Sequence, residues 1–191
     1  MNLFYEDYPT VLKVKNEFIP IITDFREYIK LLDMLNDEEV NGYEKMLFLQ
    51  QYFLKEPNNM DDAISRLTDF VSMKELNDVH TEESGEGEDT KAEEPKPLFS
   101  FALDYPYILA GFWQDYGIDI SEIRYLHWWK FRQLFDGLSE KTEIKQRIMY
   151  RSIDLSTIKD KDERKRIEKI QRSIKLPESE LTEYDIGNAF M

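Results

Sequence analysis

The 191-residue chain has no cysteine. That excludes a disulfide framework, thiolate metal sites and a cysteine nucleophile. Only seven glycines are spread along it, and none forms a phosphate-cradling loop. Histidine occurs twice, and neither His80 nor His127 has a second ligand at helical spacing, so no metal site is expected. Apolar runs fall far short of the roughly 20 residues needed to span a bilayer, so no membrane contact is expected. The first seven residues, Met-Asn-Leu-Phe-Tyr-Glu-Asp, lack a basic stretch followed by an apolar one, so a secretory signal is not expected. Positive charge is also scarce: 25 basic residues face 39 acidic ones, a net charge of −14. Such acidity argues against a general nucleic-acid or anionic-membrane binder.

What remains is apolar enough to fold, at 41% hydrophobic and 14% aromatic residues. Charge divides the chain. Residues 1–76 carry −7, 77–97 carry −6, 98–138 carry −2, 139–176 carry +5 and 177–191 carry −4. The stretch 77–97 is almost free of apolar residues and ends in Pro95 and Pro97, which reads as an acidic flexible linker. The expected organisation is an N-terminal hairpin plus helices over 1–76, that linker, an aromatic-rich helical region over 98–176 and an acidic tail over 177–191. The expected fold class is all-α, two helical halves with a short N-terminal β-hairpin.

Local signals fill in the elements. Val11-Leu12-Lys13-Val14 and Phe18-Ile19-Pro20-Ile21 flank a polar turn, a hairpin with Pro20 at an edge. Asp24 caps a helix carrying Phe25, Tyr28, Ile29, Leu32 and Leu35 at helical spacing. Gly42 precedes a second apolar run, Met46 to Leu54, ending at Pro57, and Asn59 or Asp61 caps a third helix. In the second half, Asp104-Tyr105-Pro106 reads as a cap with proline in the first turn, and Gly117 closes that helix. Asp119 or Ser121 is expected to cap a helix running to Asp136. Further helices follow near Thr142–Arg151 and from Asp160 to Pro177.

Two segments stand out as binding candidates. Residues 123–135 spread Tyr125, His127, Trp128, Trp129, Phe131 and Phe135 around most of a helical wheel. A helix packed on two sides accounts for that, with Trp113, Trp128, Trp129, Phe112 and Phe131 in one core of the C-terminal half. The same residue types, including Arg132, also dominate protein interfaces. In the last helix Ile167, Ile170 and Ile174 form a narrow stripe among Arg164, Lys165, Arg166, Lys169, Arg172 and Lys175. That stripe suits one neighbouring helix, from this chain or another. The candidate partner-binding set is therefore Tyr125, Trp128, Trp129, Arg132, Arg164, Arg166, Ile167, Ile170, Arg172 and Ile174. No catalytic constellation is visible, so neither an enzyme nor a cofactor is expected.

Several strings are less generic: Tyr116-Gly117-Ile118-Asp119-Ile120, Tyr125-Leu126-His127-Trp128-Trp129-Lys130-Phe131-Arg132, Tyr150-Arg151-Ser152-Ile153-Asp154-Leu155, Ile158-Lys159-Asp160-Lys161 and Thr23-Asp24-Phe25-Arg26. Together they resemble small tailed-bacteriophage proteins encoded between the major tail protein and the tape measure protein, over most of residues 1–177. Proteins from that gene position look like tail assembly chaperones. The resemblance implies a protein of the host cytoplasm that binds the tape measure protein, keeps it soluble, yields to tail-tube protein and is absent from the mature virion. Self-association is compatible with it. The alternatives are a structural tail or tail-completion component, and a nucleic-acid-binding assembly factor using the basic segment 139–176.

Overall fold

The computed structural model describes residues 2–37, 39–77 and 98–176. The acidic segment after Asn77, including His80, and the tail after Leu176 lie outside the described residues. The chain divides into two compact units. The first holds the residues up to 77 together with Tyr125–Phe131, and the second holds 98–124 and 132–176. The architecture is mainly helical with one N-terminal antiparallel hairpin, as the sequence patterning implies.

In the first unit, β1 (Val11–Val14) pairs with β2 (Glu17–Pro20) from Val11 opposite Pro20 to Val14 opposite Glu17. The two-residue turn between them places Lys15 at φ 48°. Leu12 and Val14 are buried while Val11 and Lys13 are exposed, the two-residue alternation of a half-buried strand. Helix α1 (Phe25–Asn36) starts at Asp24, whose side chain accepts the Arg26 amide, and buries Phe25, Tyr28, Leu31, Leu32 and Leu35. Helix α2 (Gly42–Gln50) opens with a complete capping box between Asn41 and Glu44.

The second apolar run does not stay helical to Pro57. After Gln50 the chain passes through turns at Gln51 and Tyr52, and Phe53 forms a single bridge with Ile21, just past the end of β2. Ile22 donates to the Tyr52 carbonyl at 3.0 Å, and Leu54 donates to the Pro20 carbonyl at 2.8 Å. Phe53 is a residue that favours extended backbone, and the Pro20 carbonyl and Ile22 amide need partners. Tertiary pairing thus overrides the helical period. Helix α3 (Met60–Val71) is capped by Asn59 and buries Ala63, Ile64, Leu67, Phe70 and Val71. Met73, at φ 57°, then breaks the chain before the single turn α4 (Lys74–Asn77).

The second unit begins with α5 (Phe101–Tyr116). Its cap is Ser100, which accepts the Leu103 amide, so the helix starts a turn before the expected Asp104 cap and takes Pro106 into its body. Asp104 is buried and occupied otherwise, as described below. Gly117 ends the helix at φ 64°, a left-handed position that glycine adopts without steric cost. The expected helix from Asp119 or Ser121 is absent. Asp119 accepts the Ser121 amide in a local turn, and α6 begins only at Trp128 (Trp128–Asp136). Helix α7 (Glu143–Ser152), a 3-10 turn (Leu155–Thr157) and α8 (Lys161–Ser173) complete the unit. Its interior is built from Phe101, Ile108, Phe112, Phe135, Leu138 and Ile144. A methyl group added at Gly111 would lie 3.2 Å from Leu138 and 3.5 Å from Ile144, so the missing side chain lets α5 approach these residues closely.

The expected single C-terminal aromatic core is corrected by this arrangement. Trp128, Trp129 and Phe131 are buried in the first unit, against Tyr28, Phe25 and Phe70. Phe112 belongs to the second unit, and Trp113 is 63% exposed. Wheel geometry treated 123–135 as one helix. Its first five residues are in fact non-helical, and Leu126 among them makes a backbone bond to Phe25.

Candidate partner-binding surface

The most specific string of the sequence is structural. Asp24 and His127 form an antiparallel bridge. The Phe25 amide donates to the Leu126 carbonyl at 2.9 Å, and the Trp128 amide donates to the Thr23 carbonyl at 2.8 Å. His127 caps α6 through Nδ1, which accepts the Trp129 amide at 3.1 Å. Nδ1 is therefore the bare nitrogen, and Nε2 carries the proton toward the Pro9 carbonyl, 2.9 Å away. Burial lowers the His127 pKa below its ordinary value, against a smaller opposing effect of the Pro9 hydrogen bond. The ring is a neutral packing group stacked on Tyr8 at 4.8 Å.

Trp128 and Trp129 are 0% and 1% exposed. Their indole N–H groups donate to the carbonyls of Val71 (3.0 Å) and Phe70 (2.7 Å), at the C-terminus of α3. The last carbonyls of a helix lack their usual partner within it: the Trp128 indole serves the Val71 carbonyl, and the Trp129 indole joins the Met73 amide at the Phe70 carbonyl. Neither tryptophan is available to a partner. Tyr125 is exposed, with its hydroxyl 2.7 Å from Thr23 Oγ1. Arg132 is half-buried on α6.

The α8 candidates lie in the second unit. Ile167, Ile170 and Ile174 are half-buried. Gln171 of the same helix donates to the Tyr150 and Ile153 carbonyls at 2.8 Å each, fixing α8 beside α7. The neighbouring helix for the narrow stripe thus comes from this chain. Arg164 and Arg166 are exposed, and Arg172 is paired with Glu168 at 2.6 Å.

A different surface was legible in composition but passed over. On α2, Leu49 is the only buried residue, while Tyr43, Met46, Leu47 and Phe48 are exposed. Tyr43, Met46 and Leu47 stand at i, i+3 and i+4, so they share one face. The signal was the unbroken run Met46-Leu47-Phe48-Leu49, more apolar surface than one buried stripe can use. In the second unit, Leu103, Ala110 and Trp113 form an exposed stripe on α5.

Among the described residues no three of His, Asp and Glu gather as a metal site, and no helix is long and apolar enough to cross a membrane. The sequence matches the family described as Bacteriophage Gp15 protein over residues 6–176. The chain belongs to this bacteriophage family. The matched range takes in both structural units, including the buried tryptophan pair and the α2 face, and stops short of the acidic tail. No curated protein and no solved structure matches the chain.

Proposed function

We propose that this phage protein is a tail assembly chaperone that binds the tape measure protein in the host cytoplasm, keeps it soluble and is absent from the finished virion. The observation that carries the proposal is the exposed Tyr43/Met46/Leu47 face of α2. Helices recognise helices through apolar residues at this spacing, and the tape measure protein is a long helix that exposes apolar surface until tube subunits cover it. Many weak contacts along such a target add up without any one being strong. A net charge of −14 favours solubility of the complex. Membership of a bacteriophage family and the resemblance to proteins encoded beside the tape measure gene support the same reading.

The test is co-expression with the tape measure protein. The parent chain should co-purify with it and raise its soluble yield, and the pair Met46→Asp and Leu47→Asp should abolish both while leaving helicity unchanged. A tape measure protein that stays insoluble and unbound with the parent chain refutes the chaperone reading. Recovery of the protein in purified particles would favour a structural tail component instead. The exposed Arg164 and Arg166 favour a second reading, nucleic-acid binding. That reading requires affinity to fall about a thousandfold between low and moderate salt, whereas an apolar helix contact weakens little.

A further inference from the structure

One edge of the hairpin is bridged at its end by residues 52–54, and the β1 edge is open. Ile21 donates to the Thr10 carbonyl at 3.1 Å, which makes Thr10 and Ile21 a hydrogen-bonded pair of the ladder. Pairs alternate along an antiparallel ladder, so Val11 and Lys13 direct their N–H and C=O groups away from β2. On the β2 side, the 52–54 segment takes the Pro20 carbonyl and the Ile22 amide just past the strand. Among the described residues, nothing pairs with the outward backbone of Val11 and Lys13.

Beside this edge runs a groove of about 500 Å³ between β1 and α3, with Leu12, Phe70 and Trp129 among its apolar lining. Its acidic side chains are largely engaged. Asp62 accepts the Lys15 amide at 2.9 Å and lies 3.7 Å from Arg66. Asp69 lies 3.6 Å from Arg66 and 3.4 Å from Lys74. Glu75 is exposed at the rim. The ammonium groups of Lys13 and Lys15 form no ion pair among the described residues, so unneutralised positive charge lines an open strand edge in a strongly acidic protein.

We propose that this groove binds an extended acidic peptide segment of a partner protein, which adds to β1 as a further strand. Backbone bonds form to both outward groups of Val11 and of Lys13. Carboxylates of the segment meet Lys13 and Lys15, and alternate side chains turn toward Leu12 and α3. Backbone pairing supplies affinity in this mode and charge supplies selectivity. The surface is distinct from the α2 face, and its test does not depend on the tape measure protein.

The experiment is amide-resolved NMR on the full chain with a synthetic peptide of alternating glutamate and valine. A lysine–valine peptide is the control. Binding of the acidic peptide should protect the Val11 and Lys13 amides from exchange, and Lys13→Glu with Lys15→Gln should weaken it roughly tenfold or more. An unchanged melting temperature in that variant shows that the loss is local. No protection at Val11 and Lys13, or equal binding of both peptides, overturns the proposal. So does protection already present in the free protein, in either of two forms. Protection lost when residues 177–191 become a Gly/Ser tail would name the chain's own tail as occupant. Protection that rises with protein concentration would name a second copy.

Discussion

The second unit turns on one buried ion pair. Arg151 on α7 meets Asp104 on α5 through two bonds, Nη1 to Oδ2 at 2.6 Å and Nη2 to Oδ1 at 3.0 Å. Its Nε donates to the Ile174 carbonyl at the end of α8, and Nη1 also reaches the Leu98 carbonyl. The side chains are 8% and 2% exposed. One guanidinium therefore ties α5, α7, the end of α8 and the entry to the unit. Arg151→Met keeps apolar bulk but leaves the Asp104 carboxylate buried with the Ser100 amide as its remaining partner. Removing one member of a buried pair costs about 3–5 kcal/mol, because the other charge loses compensation while staying out of water. At about 2–4 °C per kcal/mol for a chain of this size, melting should fall by roughly 6–20 °C. The assay is thermal unfolding followed by circular dichroism, with Asp104→Leu and the double variant completing a cycle. The double variant should recover much of the loss, since an apolar pair needs no compensation. Unfolding of Arg151→Met within about 1 kcal/mol of the parent would refute the reasoning. So would strict additivity of the two changes.

Trp129→Phe should cost about 0.5–1.5 kcal/mol in denaturant midpoints, because the Phe70 carbonyl loses its indole donor but keeps the Met73 amide, while exposed Trp113→Ser should stay within about 0.5 kcal/mol. His127 is neutral in the fold, with its pKa lowered by burial, so the unfolded chain takes up its proton first as pH falls. Its contribution is complete above the ordinary histidine pKa of about 6.5 and is lost as pH drops below it through the lower folded value. Urea midpoints from neutral to mildly acidic pH should show that loss, and a His127→Gln variant with the same slope would remove the assignment. Gly117→Ala, forcing a side chain into φ 64°, should destabilise by about 1–2 kcal/mol in thermal melts; an unchanged melt would mean the helix end relaxes freely.

Element types wherever a local rule acts alone were determined by sequence. Asp24, Asn59 and Asp160 cap the helices expected of them because a side-chain oxygen satisfies amides two or three residues away, needing no distant partner. Gly117 ends α5 and a polar two-residue turn closes the hairpin for the same local reason. The candidate binding residues were less legible. Composition marked Trp128 and Trp129 as anchors for something, but whether they face a partner or the interior depends on what receives their indole N–H groups. Those acceptors are the Phe70 and Val71 carbonyls, nearly sixty residues earlier in the chain. Asp104 read as a cap because Arg151, which holds it, is 47 residues away. Residues 52–54 left the helical period because Pro20 and Ile22 offered unpaired backbone, and Leu126 and Trp128 are held to the first unit because Phe25 and Thr23 did the same. Only the tertiary structure decides such choices, since burying a polar group is costly until a partner is found, and the partner's position in sequence is unconstrained. The α2 face was decided the same way: the apolar run is plain in the sequence, and its exposure follows from packing that covers Leu49 alone.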